Sequence, residues 1–133
     1  MHYVKKHVNG IEVVFPYRQV VLEKGLIQFI NTLLIKELTT FDGRIEALKK
    51  QCSLKYNVPI YINHKLCLFS LTPLRDTDVI CLNVHAIQAI IEQEINKTMI
   101  IFNSNETLIL NYNYRLVKKR YDRTIQIIEK LSN

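Results

Sequence analysis

At the N-terminal end, apolar and polar positions alternate with a period close to two. Met1 to Val8 and Ile11 to Phe15 read as short strands joined around Asn9-Gly10, a dipeptide suited to tight hairpins with positive φ angles. Arg18 to Glu23 reads as a third strand. The period then lengthens. Leu26, Ile30, Leu33, Leu34 and Leu38 recur at helical spacing, and Gly43 to Ser53 predicts a second, basic helix with Ile45, Leu48 and Cys52 as its inward stripe. After Pro59 the β pattern resumes in residues 60–62, 66–69, 79–84, 86–91, 98–102 and 107–112, with Asn103-Ser104-Asn105 as the turn between the last two. The last four of these runs read as one antiparallel meander. From Tyr114 the helical period returns: Val117, Tyr121, Thr124, Ile125, Ile128 and Leu131 share one face. This order predicts an α+β fold, a single antiparallel β-rich domain over residues 1–133 with two central helices and a C-terminal helix.

Composition adds a partner class. The 133 residues carry 18 Lys and Arg against 12 Asp and Glu, a net charge of +6 that leans towards a polyanion. The chain is also rich in Ile (18) and Asn (11), and Lys, Ile and Asn rise together in AT-rich genomes, so codon bias is a competing source of the charge. With only three glycines and three prolines there is no linker, repeat or low-complexity tract. Three cysteines cannot all pair within the chain; Cys67 and Cys81 sit in apolar strands and read as buried thiols in a reducing cytoplasm. No apolar run approaches the roughly 18 to 20 residues of a membrane span, so no membrane partner is expected.

Candidate catalytic chemistry is sparse. His2, His7, His64 and His85 are scattered without metal-ligand spacing, and Asp76 and Asp78 fall in the turn-like stretch TPLRDTD. Nucleophile-elbow and phosphate-loop motifs do not occur. Neither an enzyme, a cofactor nor a metal site is expected.

The densest charge is in NYNYRLVKKRYDR, residues 111 to 123. Arg115, Lys119, Asp122, Arg123, Gln126 and Lys130 take the polar side of the C-terminal helix, which an amphipathic helix shows for solubility alone. Arg120 falls in the apolar arc, where it must snorkel or meet a partner at the helix edge. The polyanion reading makes Arg115, Lys118, Lys119, Arg120 and Arg123 the main phosphate-contacting surface, assisted by Arg44, Lys49 and Lys50.

The run from Thr39 to Tyr121, through TTFDGRIEALKK, YNVPIYIN, LFSLT, VICLNVHAIQAI and FNSNETLILNYNY, resembles the ComK family of competence transcription factors. Gly43-Arg44, Pro59-Ile60, Phe69 to Thr72, Ile80 to Asn83 and Asn103 to Glu106 match its pattern in order and spacing. Residues 1–38 match more weakly, Cys81 stands where the family has tryptophan, and the chain stops short of the family's C-terminal extension. CLNVHAI, the two strands after it and YRLVKK are also similar to the C-terminal half of the LytTR-type DNA-binding domain, with Arg115 in the place of a DNA-contacting arginine.

Both resemblances imply double-stranded DNA as the partner and transcriptional regulation as the role. The ComK likeness implies A/T-rich promoter boxes, the minor groove and binding as a homo-oligomer, whereas the LytTR likeness leaves the groove open. The alternative is a protein-interaction module on the same fold, which inhibits or modulates a partner regulator protein without touching DNA.

Overall fold

A computed structural model describes residues 1–132. In chain order the elements are β1 (Tyr3–His7), β2 (Gly10–Phe15), β3 (Arg18–Leu22), α1 (Leu26–Ile35), α2 (Phe41–Cys52), β4 (Ile60–Asn63), β5 (Leu66–Ser70), β6 (Ile80–Asn83), a 3-10 turn (Val84–Ala86), β7 (Ile87–Glu94), β8 (Lys97–Phe102), β9 (Thr107–Leu110) and α3 (Tyr114–Leu131). The α+β expectation is borne out, with all strand pairings antiparallel.

Two sheets form. One has the order β3-β2-β1-β6-β5-β4, the other β7-β8-β9. Residues 79–112 are therefore not one meander. β6 pairs with β1 and β5 in the larger sheet, and the 3-10 turn carries the chain into the smaller one. Local alternation does not encode which strand is the partner, and β6 is recruited from a distance. The Asn83 N–H donates to the His2 carbonyl (2.9 Å), and the Asn83 side chain donates to the Met1 carbonyl (2.9 Å). The Asn103 to Asn105 turn joins β8 and β9 as expected.

The period-two pattern of the larger sheet divides its side chains between two cores. Val4, Ile60, Ile62, Leu68 and Cys81 point to the face covered by α1 and α2, where they meet Leu26, Ile30 and Leu34. Their neighbours Tyr3, Tyr61, Cys67, Phe69 and Leu82 point to the other face, where Ile100, Phe102, Leu110 and Val117 from the smaller sheet and α3 close a second core. The smaller sheet is partnered on one side only. Ile91, Met99 and Ile109 lie side by side on its outer face, with Ile91 and Ile109 38% and 48% exposed.

Three local expectations shift. The first hairpin pairs His7 with Gly10, so its two-residue loop is Val8-Asn9; Gly10 takes the positive φ of 136°, and a Cβ there would collide with the Leu22 carbonyl oxygen. Leu38 is not on the inward stripe of the first helix. α1 ends at Ile35, and Leu38 (φ 61°) occupies the left-handed position of a Schellman ending, with Thr39 N–H bonded to the Leu34 carbonyl and Leu38 N–H to that of Ile35. On α3, Ile127 is buried although the wheel left it out, whereas Tyr121, Ile125, Ile128 and Leu131 are half-buried.

A polar junction ties the sheets together. Tyr17, in the Pro16-Tyr17 turn between β2 and β3, has φ 61°. Its N–H donates to Glu106 Oε1 (2.6 Å) and its hydroxyl to the Ser104 carbonyl (2.6 Å), across to the β8–β9 turn. Beside it, buried His2 stacks on Phe102 with centroids 4.2 Å apart and meets Ser104 Oγ at 3.1 Å. Burial holds the His2 pKa below its usual 6.5, opposed by the Glu106 charge and reinforced by the N-terminal amine. The neutral ring is therefore the folded form, and its stabilising contribution is present above pH 6.5 and lost as pH falls through the depressed folded value. Burial and His64 lower His85 in the same direction. Thermal unfolding from pH 7.5 to 5 should show a decline that is shallower in His2→Gln; equal slopes would mean that His2 titrates normally in the folded state.

The thiols behave as expected. Cys67 and Cys81 are fully buried, and burial pushes both up to about 12, against a small opposing effect of Lys6 on Cys81. In the native protein a thiol reagent should modify half-buried Cys52 first and reach the other two only on unfolding. Fast labelling of three thiols would contradict the strand packing. No helix among the described residues is long and apolar enough to cross a membrane.

Candidate nucleic-acid interface

α3 starts just beyond β9. Asn113, in extended conformation, caps it by accepting the Leu116 N–H (2.8 Å), which sets Tyr114 and Arg115 in the first turn. That first turn has no acidic residue, and Lys130 is the one cation in the last turn. A helix arranged for its own stability carries acids at the N-terminus and bases at the C-terminus. α3 departs from this at its N-terminus alone: Arg115 stands in the acid-free first turn and adds its charge to the positive end of the dipole, with Lys118, Lys119 and Arg120 in the turn after it. The helix dipole disfavours Arg115, so its position is not set by helix stability.

Arg115, Lys118, Lys119 and Arg123 line one open groove of ≈ 850 Å³, together with Tyr114 and Gln126 and the carboxylates of Glu92 and Asp122. Arg115 and Lys119 are exposed, and neither forms an ion pair among the described residues. Lys118 is committed to Asp122 at 2.7 Å and lies over the Tyr121 ring at 5.3 Å. The hydrogen bond to Asp122 is the main cause that raises its pKa.

The other candidate arginines, Arg120, Arg123 and Arg44, are anchored in the fold. Arg120 donates to the Ser70 carbonyl at the end of β5 (3.1 Å), and its pKa is lowered first by burial and then by Arg123. The apolar-arc position thus resolves as a partner at the helix edge. Arg123 donates to the carbonyls of Asn57 (2.9 Å) and Tyr56 (3.1 Å), pinning the loop before β4 against α3 while still facing the groove. Arg44 lies apart. It wraps the edge strand β4, donating to the Ile62 carbonyl (3.4 Å) with its guanidinium 5.8 Å from the Tyr61 ring, and its buried Nε has no partner among the described residues.

Lys49 and Lys50 remain on α2. Lys50 is exposed and 3.8 Å from Glu46, whereas Lys49 lines a second cleft on the far side of the 55–57 loop. The structure thus gathers four of the eight candidate cations, Arg115, Lys118, Lys119 and Arg123, in one groove, turns neighbouring Arg120 towards β5 instead, and places Arg44, Lys49 and Lys50 on α2. The sequence reading does not pick out Glu92 and Tyr114, whereas it sets Asp122 and Gln126 on the polar side of the helix. Glu92 is brought in by β7, whose polar end extends to Glu94 paired with Lys97, beyond the apolar run that marked the strand. No group of three or more His, Cys, Asp or Glu able to hold a metal ion occurs among the described residues.

No curated protein and no solved structure gives a significant match to the chain. The family model described as ComK protein matches residues 3–133, including the N-terminal strands whose sequence likeness is weaker. By that match, which spans both sheets and all three helices, the chain belongs to the ComK family.

Proposed function

We propose that this chain is a transcriptional regulator that binds double-stranded DNA through the groove along the N-terminal half of α3, with a preference for A/T-rich promoter sites. Membership in the ComK family supports a competence-type transcription factor. The observation that carries the DNA reading is the groove on α3 in which Arg115 and Lys119 stand exposed and, among the described residues, without ion-pair partners beside Lys118 and Arg123. Ammonium and guanidinium groups in such a groove neutralise phosphates, and a planar Arg115 fork can also read a base edge. Narrow A-tract minor grooves concentrate the negative potential that such cations seek. No catalysis is assigned.

The reading is tested by titrating A/T-rich and scrambled duplexes at two salt concentrations. Four phosphate contacts correspond to a slope of log K against log salt of about −3.6, so affinity should fall roughly a hundredfold between 50 and 200 mM. A second reading, a module that binds and modulates a partner regulator, is favoured by the unpartnered row Ile91, Met99 and Ile109. Absence of duplex binding at low salt, together with salt-insensitive capture of a protein partner, would select it.

A further inference from the structure

The cleft that takes Lys49 lies between α2, the 55–58 loop and the 70–75 loop, with a volume of ≈ 350 Å³. Three cations line it: Lys49, Lys55 and Arg75, all exposed and none in an ion pair among the described residues. No carboxylate is part of its wall. Its floor is apolar, made by half-buried Phe41, Ile45 and Leu74. Like charges gathered over a low-dielectric floor focus their field outward, which favours an anion at the mouth of the cleft. The α3 groove differs, because Glu92 and Asp122 offset part of its charge.

One loop separates the two clefts. Tyr56 and Asn57 form a wall of the second, and their carbonyls are held by Arg123, which lines the first. A polyanion that leaves the α3 groove past Arg123 meets Lys55 and then Lys49 and Arg75. Tyr56, 72% exposed, offers a ring at the crossing, against which a sugar can pack.

We propose that this second cleft binds backbone phosphates of the DNA flanking the segment held on α3, through Lys49, Lys55 and Arg75. The inference rests on the DNA reading of α3 and extends its footprint to residues outside that helix. Phosphate positioning of this kind carries affinity and orientation without reading sequence.

The test compares wild type, Lys55→Ala/Arg75→Ala and a control, Lys36→Ala/Lys65→Ala, which removes two exposed charges that line neither cleft. Each is titrated against one duplex of about 30 base pairs over a range of salt, after circular dichroism has shown the native fold. Loss of two phosphate contacts should flatten the slope by about 1.8 and weaken binding roughly 60-fold at 0.1 M salt, equally on specific and scrambled sequence, with the control near wild type. If wild type binds and the cleft variant matches it, the second cleft is not a DNA contact while the α3 reading stands. A control that loses as much as the cleft variant overturns the inference as well, because the effect is then general charge. Adenosine monophosphate binding that disappears in Lys55→Ala/Arg75→Ala while duplex affinity is unchanged assigns the cleft to a free nucleotide and rejects the proposal. If wild type binds no duplex at any salt, the DNA reading itself falls.

Discussion

Phe102→Ala should lower the unfolding free energy by about 3 to 5 kcal/mol, the usual range for truncating a fully buried aromatic ring. Phe102 is 1% exposed and stands where the two sheets meet: its ring stacks on His2 and lies 5.8 Å from that of Tyr3 on β1. Its own backbone closes the β8–β9 turn, with its N–H on the Glu106 carbonyl (2.9 Å) and its carbonyl taking the Asn105 N–H (2.8 Å). Truncation opens a cavity at a junction built from both ends of the chain, where neither sheet can collapse inward without losing register. Domains of this size have roughly 5 to 15 kcal/mol of stability in all, so the variant approaches the unfolding threshold. Urea denaturation with a common slope reads the loss directly. A change under about 1 kcal/mol would show that the sheets do not pack through this ring.

Arg115→Ala/Lys119→Ala should weaken duplex binding roughly 60-fold at 0.1 M salt, since each lost phosphate contact removes about 0.9 of the log-log slope. Both residues are exposed on α3, so the melting temperature should stay near that of wild type. If Arg115 reads a base edge, the single Arg115→Ala change should cost ~1 to 3 kcal/mol mainly on the preferred site and erode specificity, while Lys119→Ala acts on all sequences alike. Arg123→Ala is the less clean variant, because it also frees the Tyr56 and Asn57 carbonyls and loosens the loop. A folded double variant with wild-type affinity would remove α3 from the interface.

What the sequence makes legible is local. Period-two runs place every strand and helical periods place all three helices, because alternation and amphipathic spacing are set by neighbours along the chain. The assignment of β6 to a separate sheet from β7 is not legible, since it depends on β1, far away in sequence. Leu38 misleads for a related reason: a left-handed helix ending usually takes glycine, and an apolar residue in its place reads as one more turn. The site follows the same division. Arg115, Lys118, Lys119 and Arg123 can be grouped from one helix, but the carbonyls that occupy Arg120 and Arg44 belong to β5 and β4. Lys55 and Arg75 meet Lys49 only when three segments converge.

The position of β1 has a consequence for how the protein is made. It leaves the ribosome ahead of every other strand of its sheet, yet it lies inside that sheet, between β2 and β6. The β1–β2–β3 meander can form at once, but the second edge of β1 stays open until Asn83 has been synthesised. At about 5 to 20 residues per second, that exposure lasts roughly 4 to 15 seconds on each nascent chain. An open strand edge is a template for pairing with other chains. Lys5 and Lys6, which lie in the middle of β1, stand as gatekeepers there: their charges oppose alignment with a second nascent copy, while the native register places Lys5 beside Glu12 at 3.7 Å. The folded protein pairs one of those lysines with a carboxylate, but the unfinished one relies on both to stay apart from its siblings on a polysome.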